Sequence, residues 1–262
     1  MNNFRAALWA EGLKARRSLV PWLAALGMTM TPLVGGLFMI ILQNPERAKS
    51  MGLISAKAQL TVGVADWPAY FGLLAQAMAV GGALIFALMT AWLFGREFSD
   101  HTVKELLALP TPRSAIVGAK FLVLALWVAG LTALIFGLGL VVGAAVKLPG
   151  WSVALGWRSV VDVVGTALLA LALMSPVALL ASLGRGYLAP LGWAILTLAM
   201  AQILVVMGWG AWFPWSVPAL FSGAVGPRAL LVDWYSYAVV ALASLAGLAG
   251  TFAWWSRADQ TR

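Results

Sequence analysis

Cysteine is absent from this 262-residue chain, and histidine occurs once, at His101. Disulfides, thiolate metal sites and cysteine nucleophiles are excluded together. Histidine-based zinc sites and two-histidine proton relays fall with them. Charge is also scarce: Asp, Glu, Lys and Arg supply 10% of the residues, where a soluble domain carries roughly 25%. A water-exposed surface of ordinary polarity cannot be built from so few. No G-x-x-x-x-G-K-[ST] stretch occurs, so no P-loop cradles a nucleotide here. What the chain has is apolar length. Hydrophobic residues make up 62%, the mean hydropathy is +0.92, and the apolar runs are long enough to cross about 30 Å of hydrocarbon. The composition implies an all-α polytopic membrane protein, one transmembrane domain over 1–262 with no room for a separate soluble domain.

Six spans are expected. Residues 1–17 are too charged to cross, and the run after them, about 19–42, is too long for a signal peptide's apolar core. Further spans are expected at about 70–94, 115–146, 160–183 and 234–255, the second of the six ending abruptly at Gly95-Arg96-Glu97. Between Arg185 and Arg228 no Asp, Glu, Lys, Arg or His occurs, and that stretch could hold two spans. Pro214, Pro218 and Pro227, interleaved with Trp209, Trp212 and Trp215, favour one span plus an outer re-entrant hairpin over 209–228. Charge parity agrees. Eleven Lys and Arg fall on the side of the termini and six on the other; subtracting acids leaves +6 against +2. Both termini are therefore expected in the cytoplasm. The net charge of +8 reads as positive-inside topology, not as a nucleic-acid surface.

The most informative segment runs from 95 to 113. Thr102 with Glu105 three residues on matches a capping box, which predicts a short helix start, and Pro110 and Pro112 end it. Val103, Leu106, Leu107 and Leu109 share one face; Lys104, Glu105 and Ala108 take the other. Such a helix either lies on headgroups or docks its apolar face into a groove on a soluble partner. One Lys beside one Glu suits a protein better than a lipid surface.

Glu97, the Asp100–Thr102 turn, the Leu106-Leu107 pair, Pro110, Arg113 and Lys120 resemble the loop between the second and third spans of type-2 ABC exporter permeases. Glu11, Lys14, Arg16 and Arg17, just ahead of the first span, resemble that family's connecting helix. The resemblance covers the whole chain. It implies a coupling role toward a cytoplasmic ABC ATPase for Arg96, Glu97, Asp100, His101, Thr102, Glu105, Leu106, Leu107 and Arg113. It further implies two ATPase copies that bind the ATP and Mg, and a second permease copy or a similar permease. The setting would be the lipids of the inner membrane, and the chain itself would have no cofactor, no metal and no catalytic site. The family usually has Gly at the position of His101, which suits a positive φ that His can also reach. Small permeases of this kind resemble those of peptide-antibiotic immunity and drug efflux, so outward movement of an amphipathic or lipid-like cargo is expected.

On a helical wheel Glu11 lands among Phe4, Leu8 and Ala15, on the apolar side. It either pairs with Lys14 and snorkels outward, or faces a cation of the partner subunit. Within the spans, Gln76 and Gln202 either glue helices together or line a cavity. In the family the second and fifth spans line the central path, so Gln76, Thr90, Gln202 and Met207 are its candidate residues. Gly130, Ala133 and Gly137 have the small-xxx-small spacing of packed helices. Ser175-Pro176 and Ser182 read as kink and packing residues, and Asp162 as a structural partner of Arg158. An ATP-independent carrier or channel with six spans is the alternative, although the midspan polar residues are neutral and few.

Overall fold

In a computed structural model, residues 3–44, 64–108, 110–224 and 231–257 are described. Leu109, Pro227 and Arg228, named in the sequence argument, and Arg47, Lys49, Lys57 and Arg262, counted in its charge parity, lie outside them. The helices are α1 (Asn3–Arg17), α2 (Val20–Gln43), α3 (Trp67–Ser99), α4 (Val103–Leu107), α5 (Arg113–Ala145), α6 (Val153–Leu183), α7 (Leu188–Val206), α8 (Val217–Phe221) and α9 (Trp234–Arg257). Six of them, α2, α3, α5, α6, α7 and α9, are long and apolar enough to cross a membrane. Between Arg185 and Arg228 one such helix is present among the described residues, not two, which gives six spans.

The spans sort by burial. α3 is central, with Tyr70, Leu74, Met78, Phe86 and Phe94 fully buried. α2, α7 and α9 lie outermost and expose Leu26, Val34, Ile195, Leu196, Leu242 and Leu245. In water that much exposed apolar area would drive aggregation, whereas lipid tails solvate it.

Two span starts fall earlier than expected, and both are capped. Asp66 accepts a hydrogen bond from the Ala69 amide at 2.8 Å, so α3 begins at Trp67 with Pro68 in its first turn. Ser152 accepts from the Leu155 amide at 3.1 Å, and α6 starts at Val153 where the sequence reading placed it near 160. The Trp-rich connection is thus helical. At the other end of α3 the helix continues through Gly95, Arg96 and Glu97 to Ser99. The abrupt stop expected at Gly95 is absent because the charges there find partners inside the protein.

Helix ends and breaks follow from identifiable residues. At the end of α3, His101 has φ 57°, its amide donates to Phe98 O and the Thr102 amide donates to Glu97 O. This is a Schellman closure with His where Gly is usual. Lys147 (φ 57°) closes α5 in the same way, with bonds from Lys147 N to Ala144 O and from Leu148 N to Gly143 O. α6 breaks at Leu173, just ahead of Pro176. Proline has no amide to offer the Ala172 carbonyl, and the Ser175 hydroxyl takes its place at 3.0 Å, sharing its proton with Ser244 O at 2.7 Å on α9. Trp255 Nε1 then donates to Ser182 Oγ at 2.9 Å. The kink and packing roles expected of these serines are therefore seen.

After α7 the chain makes two 3-10 turns, Gly210–Trp212 and Pro214–Ser216, and then α8, which packs against α6. Trp212 stacks on Tyr235 with centroids 4.3 Å apart, and Trp193 meets Trp215 edge-on at 5.6 Å. The Gly130–Ala133–Gly137 spacing does not mark a contact within the protomer. A Cβ on Gly130 or Gly137 would meet nothing within 4 Å, and Ala133 is exposed. The closest helix approach uses Gly247, where a Cβ would run into the backbone of Ser175 and Pro176.

Gly247→Ala is therefore expected to lower stability by about 1–3 kcal/mol, because backbone cannot yield to the added methyl. Gly130→Ala should be neutral or gain about 0.5–1 kcal/mol in helix propensity. Thermal unfolding of the two purified variants in detergent separates them; equal shifts would contradict the α6–α9 packing.

Candidate functional site

Three helices meet at the end of the bundle that carries α1 and α4, and they meet through charge. Lys120, on the first turns of α5, is completely buried. An ammonium has three donors and no acceptor, so burial requires three acceptors around it. They are Glu97 Oε1 at 2.8 Å from α3, Glu11 Oε2 at 3.0 Å from α1, and the Leu93 carbonyl at 2.6 Å. The Phe94 ring adds its face, with the centroid 5.9 Å from Nζ. Lys14 closes the cluster from α1, 2.7 Å from Glu11 Oε1 and 3.0 Å from Glu97 Oε1. Two ammonium groups thus face two carboxylates, and the cluster is neutral.

This arrangement corrects one expectation and refines another. Glu11 does pair with Lys14 three residues on, but the carboxylate does not snorkel outward; it is buried. The further cation facing it is this chain's own Lys120, not one from a partner subunit. Its place on the apolar side of α1 now has a cause, since that side packs onto α5. Glu97, expected on the coupling surface, is also buried, with Oε1 shared between the two lysines and Oε2 lacking a hydrogen bond. Burial works against the Lys14 charge, but Glu97 and then Glu11 outweigh it and hold its pKa above the ordinary lysine value. A raised pKa adds stability that is fully present below about 10.5 and is lost as pH rises through the folded value. Lys14 therefore keeps its charge, and its place in the cluster, across the physiological range.

α4 follows directly. The expected capping box does not form: Thr102 precedes the helix, but its φ −95° and ψ 3° differ from the extended backbone of a capping residue and its hydroxyl makes no cap bond. The Schellman closure at His101 sets that backbone instead. The apolar face is also not free. Val103, Leu106 and Leu107 are half-buried against the chain's own core, and His101, Thr102, Lys104, Glu105 and Ala108 are exposed. The surface available to a soluble partner is the polar one. Beside it, Arg96 pairs with Asp100 at 3.1 Å and lies over the Trp92 ring. Arg113 Nη1 donates to the Trp255 carbonyl at 3.2 Å and ties α5 to the end of α9. Arg16 and Arg17 are exposed on α1.

The residues expected along a path do not come together. Thr90 is fully buried inside the protomer and donates to Phe86 O at 2.7 Å, so it lines no surface. Gln202 and Met207 are exposed at and just beyond the C-terminal part of α7. Gln76 is half-buried, next to a π-helical turn at Met78–Gly82 in α3. Arg158 and Asp162 share a cavity of about 390 Å³ between α3 and α6. Among the described residues no cluster of three or more His, Cys, Asp or Glu could hold a metal.

Lys120→Met would leave two buried carboxylates against one ammonium. Its expected cost is about 3–5 kcal/mol, since breaking a buried pair strands the remaining charge. Adding Glu97→Gln should recover much of that loss, a coupling visible as non-additive unfolding in a double-mutant cycle. Additive effects would mean that the two groups do not interact.

Comparison with known proteins gives two matches. Residues 7–201 match the family described as ABC-2 family transporter protein. The bacitracin transport permease protein BCRB of Bacillus licheniformis is 30% identical over 183 residues, which cover 68% of this chain and 85% of that protein. No solved structure matches the chain. The family's membrane subunits are transporter components, not enzymes themselves. On the strength of its family match and its six apolar helices, this chain belongs to the ABC-2 family as a multi-pass membrane component of an ABC transport system.

Proposed function

We propose that the protein is the permease subunit of an ATP-driven exporter and that it moves an amphipathic or hydrophobic cargo, of the peptide-antibiotic, drug or lipid-like kind. One observation carries this reading. A short helix with an exposed polar face, α4, follows the turn at the end of α3, and a buried ion cluster ties that end of α3 to α1 and α5, in a chain without a P-loop. Force applied at α4 enters α3 at Ser99 and reaches α1 and α5 through Glu97 within one helical turn. A separate ABC ATPase, two copies binding ATP and Mg, would apply that force. In this reading α1 is the connecting helix, α4 the coupling helix, and both termini are cytoplasmic in an inner-membrane protein. The permease pairs with a second copy or a similar permease. The turns from Gly210 to Phe221 form the outer re-entrant hairpin, and exposed Gln202 and Met207 face the dimer axis with Gln76. The name of the Bacillus licheniformis relative, a bacitracin transport permease, supports a peptide-antibiotic cargo.

The exposed face of α4 gives the test. Lys104→Glu combined with Glu105→Lys should cut co-purification of the ATPase at least about tenfold, since misplaced charge at an interface costs several kcal/mol. The permease itself should unfold at its usual temperature, because both side chains are exposed. Undiminished ATPase recovery and transport would overturn the coupling assignment. A reporter fused after Arg262 should read as cytoplasmic; an outside reading would overturn the topology. Replacing Gln76 and Gln202 by Leu is expected to change transport or cargo selectivity while folding stays near normal. Unchanged transport by both variants would remove them from the path.

A further inference from the structure

A groove of about 620 Å³ opens at the α1 end of the bundle, between α1, the end of α3 and the turn before α7. Trp9, Lys14 and Arg17 come from α1, Trp92 and Arg96 from the end of α3, and Tyr187 from the turn before α7. Two of the cations are already answered: Lys14 by Glu11 and Glu97, Arg96 by Asp100. Arg17 has no carboxylate partner among the described residues. The groove thus carries a surplus positive charge, one Arg without a carboxylate partner, and the aromatic side chains of Trp9, Trp92 and Tyr187 in its lining. Its rim is apolar. Trp9 in the lining is 69% exposed, and just beyond Ser18 the chain enters the first span with Leu19 and Trp22, 76% and 58% exposed.

We propose that this groove holds the phosphate headgroup of an anionic phospholipid. The chemistry fits one molecule with two ends. Arg17 offers a fork of donors to phosphate oxygens, and the Trp side chains sit where amphipathic rings partition, at headgroup level. Basic pockets between spans select anionic headgroups for the same electrostatic reason. The acyl chains would lie along the exposed apolar side of α2. A lipid held there would brace α1 against α3 beside the ion cluster. That this is the inner leaflet rests on the topology proposed above; the binding itself does not.

The test uses the full chain, purified and reconstituted in symmetric nanodiscs of phosphatidylcholine with or without phosphatidylglycerol, then examined by native mass spectrometry. Symmetric discs make the result independent of orientation in the cell, so failure of the topology and failure of this site are separate outcomes. The wild type should retain phosphatidylglycerol in preference to phosphatidylcholine. Arg17→Gln should lower that retention about fivefold, the effect of one basic charge near a headgroup. Arg17→Lys should keep most of it, and Arg5→Gln, exposed on the same helix outside the groove, should leave it unchanged. Equal retention of the two lipids, or equal losses in Arg17→Gln and Arg5→Gln, would overturn the site. Displacement of the lipid by millimolar glycerol phosphate would overturn the lipid as occupant and leave a free phosphate. Loss of ATPase binding in Arg17→Gln with lipid retention intact would overturn the proposal in favour of a protein-facing groove.

Discussion

A lysine ammonium with no access to water sets the terms for one end of this protein. Lys120 is buried at the root of α5, and an isolated charge there would cost far more than the fold could offset. It persists because two carboxylates and a backbone carbonyl surround it. Each carboxylate arrives on a different helix, Glu11 on α1 and Glu97 on α3, so the ammonium can be satisfied only when all three helices are in register. An apolar contact would tolerate sliding by a fraction of a turn. A desolvated charge with three directional partners does not.

That constraint propagates into the neighbouring loop. Holding Glu97 inward carries α3 one turn past its apolar run, and the helix must then close within a few residues. The Schellman turn at His101 does so and points α4 across the end of the bundle. Arg113 fastens the start of α5 to the end of α9, and Trp255 on α9 reaches back to Ser182 on α6. Five helices are thereby cross-linked by polar contacts near a single level. Away from that level the spans are held mainly by shape: Gly247 against the α6 backbone, and the Tyr70 hydroxyl on the Pro32 carbonyl between α3 and α2 at 2.9 Å. Apolar surface gains little from association inside hydrocarbon, so close packing and a few hydrogen bonds carry the bundle there. Directional polar contacts thus hold the charged end, and close packing holds the rest of the bundle.

Much of the architecture was legible without coordinates. Low charge, long apolar runs and the spacing of basic residues decide class and span number, because the cost of placing polar groups in hydrocarbon is large and local. The segment around Asp100–Thr102 was recognisable as a turn. The capping signals at Asp66 and Ser152 were also in the sequence, yet Trp157 and Arg158 beyond Ser152 masked the start of α6. The Thr102–Glu105 pattern misled for the opposite reason: its residues were right, but the preceding helix had already dictated the backbone. The same local pattern can be overridden by whichever neighbour fixes φ and ψ first.

The candidate site divides along the same line. Sequence alone determined that the chain has no nucleotide loop, no thiol and one histidine, that it crosses the membrane in helices, and that charge gathers near residues 1–17 and 95–120. These are properties of composition and order, and no packing can alter them. Which charges meet was decided by tertiary structure. Glu11 is separated from Lys120 by 109 residues, and their pairing depends on α1 folding back along α5. The same packing withdrew Thr90 from any surface, turned Leu106 and Leu107 toward the core and left Lys104 and Glu105 outside. Helical periodicity says which residues share a face but not what that face will meet. Only the packed bundle settles this, since burial of a face is a property of two helices and never of one.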